Sequence, residues 1–443
     1  MTSCVVIGGG FSGLSLGYFL SKNGFKPIIL EKENSLGGLA GGFEVAPNVW
    51  VEKFYHHWFS SDEEIIGLVK ELGCEKSILS VNSKTGFFYA KSVYKMSSPL
   101  DLLRFRLLSL PARIRLGIFT LYCRTISDFS SLEKLTAIEW VNRLCGSEVT
   151  EKIWIPLLKA KFGKYHQDIS AVWLWNKIKL RGSSRDNYQR ELLFYFQGGF
   201  QALANEMAEK IVQMGGTVKL NCSVEKILFS NFSNSKRVEF VQNSSGERIE
   251  CDYLFLTVPL PEIIRLLPDT FSEKYTWDIP FLANRCLILV LDKSLSETYW
   301  LNVADPTFPF VGVIEHTNLD NPAKYGGRRI AYLSRYMPVD DPLYTLNSED
   351  YLDYCLEFVK RIFPRFEKSW VINYYDWKAD FAQPIVTVDY RKRIPPLRLE
   401  GSNIFISTMA QIYPEDRGTN YAVKYSKKVF NLFLKAFSST RFY

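Results

Sequence analysis

Histidine is scarce in this chain, four among 443 residues, and two of the four, His56 and His57, are adjacent. The eight cysteines, at positions 4, 74, 123, 145, 222, 251, 286 and 355, never fall as C-x-x-C. That argues against zinc or iron–sulfur ligation, and no metal is expected. Several of them sit in apolar runs and read as small core residues. No stretch of 18 or more uncharged apolar residues occurs, so no membrane-spanning helix is expected. No Lys/Arg-rich block stands out, and a formal charge of +7 is modest for this length. Nucleic acid is therefore not an expected partner. No charged-then-apolar leader precedes the first apolar run, so the expected location is the cytoplasm.

What the chain does have begins at once. Residues 4–13 read Cys-Val-Val-Ile-Gly-Gly-Gly-Phe-Ser-Gly. Val5, Val6 and Ile7 form a short apolar strand, and Gly8, Gly10 and Gly13 then fall on G-x-G-x-x-G. Phe11, Leu14, Tyr18 and Phe19 follow at helical spacing. A second apolar strand, Pro27 to Leu30, ends at Glu31, 18 residues after Gly13. Each part has a physical task. Gly8 permits the tight turn, Gly10 lets the backbone approach a pyrophosphate, and Gly13 lets helix and strand pack closely. The helix start, at Phe11 and Ser12, faces the anion, and Glu31 accepts hydrogen bonds from a ribose. Strand, motif, helix, strand and acid in register predict a dinucleotide-binding βαβ unit.

The next segment, Glu31-Lys32-Glu33-Asn34-Ser35-Leu36-Gly37-Gly38-Leu39, separates flavin from nicotinamide. A glycine doublet six residues past the ribose acid resembles the second FAD signature of flavoproteins related to amine oxidases, protoporphyrinogen oxidases, phytoene desaturases and UDP-galactopyranose mutases. The resemblance implies that Gly37 and Gly38 let the chain pass close to the diphosphate. Leu39 stands where amine oxidases carry arginine. Downstream, Gln197-Gly198-Gly199-Phe200 opens a helix to about Met214, and Thr217 to Asn221 and Val224 to Ile227 follow as strands. By the same resemblance, Val224 meets the adenine. Near the end, the strand Asn403 to Thr408 leads through Tyr413 to Asn420 into a helix to about Ala436. In the family that helix points its N-terminus at flavin O2, placing Gly418, Thr419 and Asn420 at the cofactor. Ser407-Thr408 replaces the usual Gly-Asp. No cysteine lies near this loop, so the FAD is expected to be non-covalent.

The resemblance covers the whole chain in order. It implies an α/β fold with a Rossmann-like FAD-binding domain over 1–85, 196–275 and 396–443. A helical insertion over 86–195 and a β-sheet substrate domain over 276–395 complete it. The sheet is read from period-2 runs at Cys286 to Leu291, Phe310 to Ile314, Arg329 to Leu333 and Trp370 to Tyr375. Within the insertion, Leu102 to Arg124 carries Arg104, Arg106, Arg113, Arg115 and Arg124, and Pro111 is expected to break its helix. Relatives dock on membranes through such a region, so peripheral membrane contact stands beside the alternative of solvated helix faces.

The implied activity is FAD-dependent oxidation of a small organic molecule, with hydride passing to flavin N5 and then to an unidentified electron acceptor. A phosphorylated or anionic substrate suits the positive balance. A redox-neutral sugar-nucleotide mutase is the alternative, and a non-catalytic or membrane-tethered flavoprotein is a third. The candidate catalytic residues are His56 and His57, in a loop rich in aromatics, and Arg417. The candidate substrate residues are Arg181, His316, Asn318, Arg335 and Tyr336, mostly at strand ends. Trp154 to Gly163 and Trp173 to Gly182 mix tryptophan with cations and suit either a cavity wall or helix packing.

Overall fold

A computed structural model describes residues 2–89, 92–95, 102–183, 192–230, 237–268, 271, 275 and 277–440. Its first layer is a five-stranded sheet in the order Thr217–Lys219, Lys26–Leu30, Ser3–Ile7, Tyr253–Leu256 and Ile404–Ile406, with every pairing parallel. Both faces are covered. Cys4, Val6, Phe255 and Phe405 pack with the helices Phe11–Lys22, Gly199–Gln213 and Thr419–Thr440. Val5, Ile7, Leu254 and Ile404 pack with the antiparallel strands Val224–Phe229, Val238–Asn243 and Arg248–Glu250. Burial on two faces explains why the sequence reads Val-Val-Ile without alternation. In parallel sheets of this kind a ligand meets the carboxyl ends of the strands, where Gly8–Gly10 and Glu31 lie.

The second layer is a seven-stranded sheet in the order Val371–Pro384, Phe281–Leu291, Arg329–Met337, Gly312–Glu315, Trp300–Val303, Thr85–Tyr89 and Ser92–Lys95. Period-2 patterning predicts one wet face, but Phe281–Leu291 is buried along almost its whole length. The reason is a cover on each side. Leu287, Leu289 and Leu291 meet Tyr351, Cys355 and Val359 of the helix Ser348–Ile362. Cys286, Ile288 and Val290 share a core with Trp58 and Tyr332.

Helices Leu110–Thr125, Ala137–Cys145, Ile155–Phe162 and Ala171–Ser183 carry the helical patterns of the insertion. Strands bracket them: Thr85–Tyr89 and Ser92–Lys95 belong to the large sheet, and Leu192–Phe196 pairs with Trp58–Phe59 and Ile78–Asn82. Pro111 marks the expected break: residues 104–109 are not helical, and a new helix begins at Leu110. The proline sits in the first turn, where its missing N–H costs nothing, and Ser109 caps the start. The helix leaves Ile114, Ile118, Leu121 and Tyr122 exposed along one side, Ile118 by 61%. No helix among the described residues is long and apolar enough to cross a membrane.

Candidate active site

The glycine turns meet where the sequence places them. Gly8 has φ +108°, and Gly37 and Gly38 have φ +99° and +58°, values that favour glycine. A Cβ on Gly13 would stand 1.9 Å from the Gly8 carbonyl oxygen, so helix and strand touch backbone to backbone. A Cβ on Gly38 would stand 3.2 Å from Gly10 Cα, and the Gly37 N–H donates to Gly9 O at 2.9 Å. The two loops thus run side by side. The helix Phe11–Lys22 starts there with no side-chain cap and no acidic residue in its first turn. Its first N–H groups face a cradle built for an anion. Phe11 keeps its ring in the core against Phe200, centroids 6.0 Å apart, so only its backbone is available there.

Glu31 is buried, and its carboxylate accepts from Gly9 N at 2.6 Å and Glu33 N at 2.9 Å. A carboxylate offers about four lone-pair sites, so two remain for hydroxyl donors. Uncapped helix start, close-packed glycine loops and an anchored acid together fit the diphosphate and ribose of FAD. Lys32 lies exposed with Nζ 3.8 Å from Glu33, and Leu39 is half-buried. Val224 opens its strand, buried. Gly418 precedes the helix Thr419–Thr440, in which Thr419 accepts from Trp58 Nε1 at 2.8 Å. Asn420 Oδ1 accepts from Glu64 N and Ile65 N at 3.0 and 3.1 Å. Its carbonyl is therefore committed to the start of the helix Glu63–Glu71.

A second group of residues gathers around Arg417. Arg417 bonds Tyr336 OH, and its guanidinium carbon lies 5.4 Å from the Tyr336 ring centre. Burial works against its charge, but Tyr336, Asp416 and Tyr55 more than offset this and raise its pKa. Asp416 receives Lys177 at 2.6 Å, Lys161 at 3.7 Å and Gln383 Nε2 at 3.1 Å. Burial opposes its charge, yet Lys177, Lys161 and Arg417 hold its carboxyl far below the ordinary range. His56 Nδ1 lies 2.6 Å from the Phe54 carbonyl, which can only accept, so Nδ1 carries the proton and Nε2 the lone pair. Burial, helped by Arg417 and His57, pushes the His56 pKa down to about 4. The imidazole is neutral at physiological pH rather than poised to titrate there. His57 Nδ1 is 3.0 Å from Tyr299 OH, with Phe59 and Trp300 against its ring edges.

The other candidates lie elsewhere. Arg335 and Tyr336 are neighbours on one strand, so the pleat sends them to opposite faces. Tyr336 reaches Arg417, while Arg335 donates to Phe308 O at 2.5 Å. His316 is enclosed by Tyr195, Tyr325 and Tyr332, with Nε2 2.8 Å from Tyr325 OH. Asn318 ties down a turn by donating to Ser296 O and Thr298 O. The Arg181 side chain lies outside the described residues. Sequence reasoning passed over Glu52, a buried carboxylate that accepts from Tyr195 OH and from Phe200 N at 2.8 Å. Burial lifts its pKa to about 7 against those two bonds. It joins the loop that carries His56 to the helix Gly199–Gln213.

Among the described residues no group of His, Cys, Asp and Glu could hold a metal. The model of the family described as flavin containing amine oxidoreductase matches residues 11–408. The 15-cis-phytoene desaturase of Solanum lycopersicum is 24% identical over 316 residues, 67% of this chain and 53% of that protein. The chain thus spans about half the length of the curated relatives it matches. Among solved structures, a chain from Exiguobacterium sp. 255-15 assigned as a protoporphyrinogen oxidase is 16% identical with a TM-score of 0.77. The match covers 98% of this chain and 99% of that one. Reduced UDP-galactopyranose mutase is 14% identical with a TM-score of 0.73, covering 98% and 96%. At these identities the structural likenesses show the Rossmann-like flavoprotein fold alone. The family match runs from the start of the first helix through the Gly37-Gly38 loop and the His56 loop to the last strand of the parallel sheet, and the chain belongs to the flavin containing amine oxidoreductase family.

Proposed function

We propose that the protein is an FAD-dependent oxidoreductase that takes a hydride from a C–H or N–H bond of a small organic substrate. The observation that supports it best is the approach of the Gly10 and Gly38 backbones at an uncapped helix start beside the anchored Glu31 carboxylate. Bound there, FAD supplies the two-electron acceptor that no amino-acid side chain provides. The N–H groups of Phe11, Ser12 and Gly13 would hold its diphosphate, and Glu31 its ribose.

The chain's own residues do the rest. Neutral His56 offers Nε2 as a hydrogen-bond acceptor to a substrate donor. Arg417 is a fixed cation that orients an electron-rich group. Tyr55, packed edge-on to Trp300 at 4.8 Å, keeps water from this side. A non-covalent cofactor agrees with the thiols. Burial raises Cys4, Cys123, Cys145 and Cys355 to about 12, and no cysteine follows residue 355.

Heat or acid precipitation of the purified protein should release a yellow supernatant containing one FAD per chain. A colourless folded protein, or colour retained by the pellet, would refute the cofactor reading. Anaerobic bleaching of the bound flavin by an organic substrate should follow, with turnover once an acceptor is added. Activity confined to pre-reduced protein would point instead to the redox-neutral mutase.

A further inference from the structure

We propose that this site selects a substrate bearing a negative charge, a carboxylate or a phosphate ester, and rejects an amine cation. The proposal rests on the assignment of the Arg417 group as the substrate side of the site. Lys161, Lys177 and Arg417 converge on Asp416 from three elements: the helices Ile155–Phe162 and Ala171–Ser183, and the loop before Thr419. Asp62 adds one more carboxylate within electrostatic reach of Lys177, and burial raises its pKa to about 6. Glu415 is already engaged by Lys424 at 2.8 Å. Among the described residues, these three cations face two carboxylates.

Two donors of the group are also unmatched, as is one acceptor, Gln383 Oε1. Lys161 lies 4.7 Å over the Trp173 ring, and Lys177 lies 5.9 Å from it. Trp173 itself is buried, and its Nε1, a donor only, has no acceptor. The buried Nε of Arg417 likewise has none. A buried donor left unmatched is costly, so an acceptor-rich ligand satisfies what the protein leaves open. An ammonium would meet like charge and a ring face already taken by lysine. Tyr55 and Tyr336 suit a ligand whose anionic group is attached to a ring.

Benzoate, phenyl phosphate and benzylamine share one ring and differ in charge. Their binding to the purified, FAD-loaded protein is read from the visible flavin spectrum and, independently, by calorimetry. At least one anion should bind ten-fold or more tighter than benzylamine, and its affinity should fall as salt rises from 50 to 500 mM. The preferred anion tells carboxylate from phosphate. Lys161→Met, which leaves the Lys177–Asp416 pair in place, should weaken the anion at least five-fold with unchanged FAD content and melting temperature, and Lys161→Arg should restore it. Equal or tighter benzylamine binding, no binding of either anion, or anion binding indifferent to Lys161→Met would overturn the proposal. Calorimetry measures the same anion preference on protein without flavin, so absence of FAD would refute the cofactor reading alone.

Discussion

Glu31 is the side chain on which cofactor retention should turn. Its carboxylate is held by two backbone N–H groups, so it presents its remaining lone pairs without needing to be ordered by the ligand. Glu31→Ala should weaken FAD by about 1.5–3 kcal/mol, the range for a hydrogen bond to a charged group, and Glu31→Gln by less. Equilibrium dialysis of FAD measures both, and full retention by the alanine variant would remove Glu31 from the site. Glu52 makes a different prediction because its charge is the costly state. Its carboxyl is about 7 in the folded protein, whereas 4.5 is its ordinary value. Between those pH values the folded chain holds a proton that the unfolded chain releases. Stability from Glu52 is therefore full below pH 4.5 and lost as pH rises to 7. Glu52→Gln stays neutral and still accepts from Phe200 N–H. It should be more stable than the wild type at pH 8 by roughly 1–3 kcal/mol, with the gap closing at pH 5. His56 and His316 are pushed down to about 4, so they act oppositely, losing stability as pH falls from 6.5 to 4. Both histidines are common to the two proteins and largely cancel in the difference. Chemical denaturation at the two pH values decides it.

Helix ends show where sequence reading stops. The glycine cradle is legible because its physics is local: Gly8 to Glu31 span 24 residues, and each glycine answers to a turn or a close approach. Asn420 is legible only in part. Its position at a helix start follows from the pattern Gly418-Thr419, but the partner of its side chain, Glu63–Glu71, lies some 355 residues away. That helix takes no cap from its own Asp62, which bonds Phe59 N at 2.9 Å instead. Asn420→Ala should therefore behave as the loss of an N-cap, costing about 1–2 kcal/mol, and Asn420→Asp should recover most of it. Thermal denaturation tests this; an alanine variant as stable as the wild type would mean that the cap contributes nothing. Arg335 and Tyr336 teach the same lesson on a strand. Both are polar at a strand end, and only the register decides which one faces Arg417. For Lys161, Lys177 and Asp416 the local mark is only the mixture of tryptophan and cations around the two lysines, because Asp416 lies more than 200 residues from both.

The molecule as a whole joins a cradle made of local turns to a site made of distant ones. FAD binding to the folded state alone stabilises it by mass action, about 2.7 kcal/mol when the ligand stands at 100 times its dissociation constant. Protein stripped of flavin should melt lower, and added FAD should raise the melt in proportion to the logarithm of its concentration. A melt indifferent to FAD would sever the cradle from the cofactor. The seven-stranded sheet and its covering helix should respond less than the parallel sheet, which hydrogen exchange can resolve.

Thr419 and Asn420 fasten Trp58 and the helix that follows it, and Ile404–Ile406 supplies the last strand of the parallel sheet. On the ribosome this reverses the order in which the parts of the site become real. The turns around Gly8, Gly10 and Gly38 can form once their own strands have emerged. The His56 loop must wait for partners made some 360 residues later, and that long-range closure is the slow kind. A nascent chain thus makes the turns that face a dinucleotide well before the parts that face a substrate.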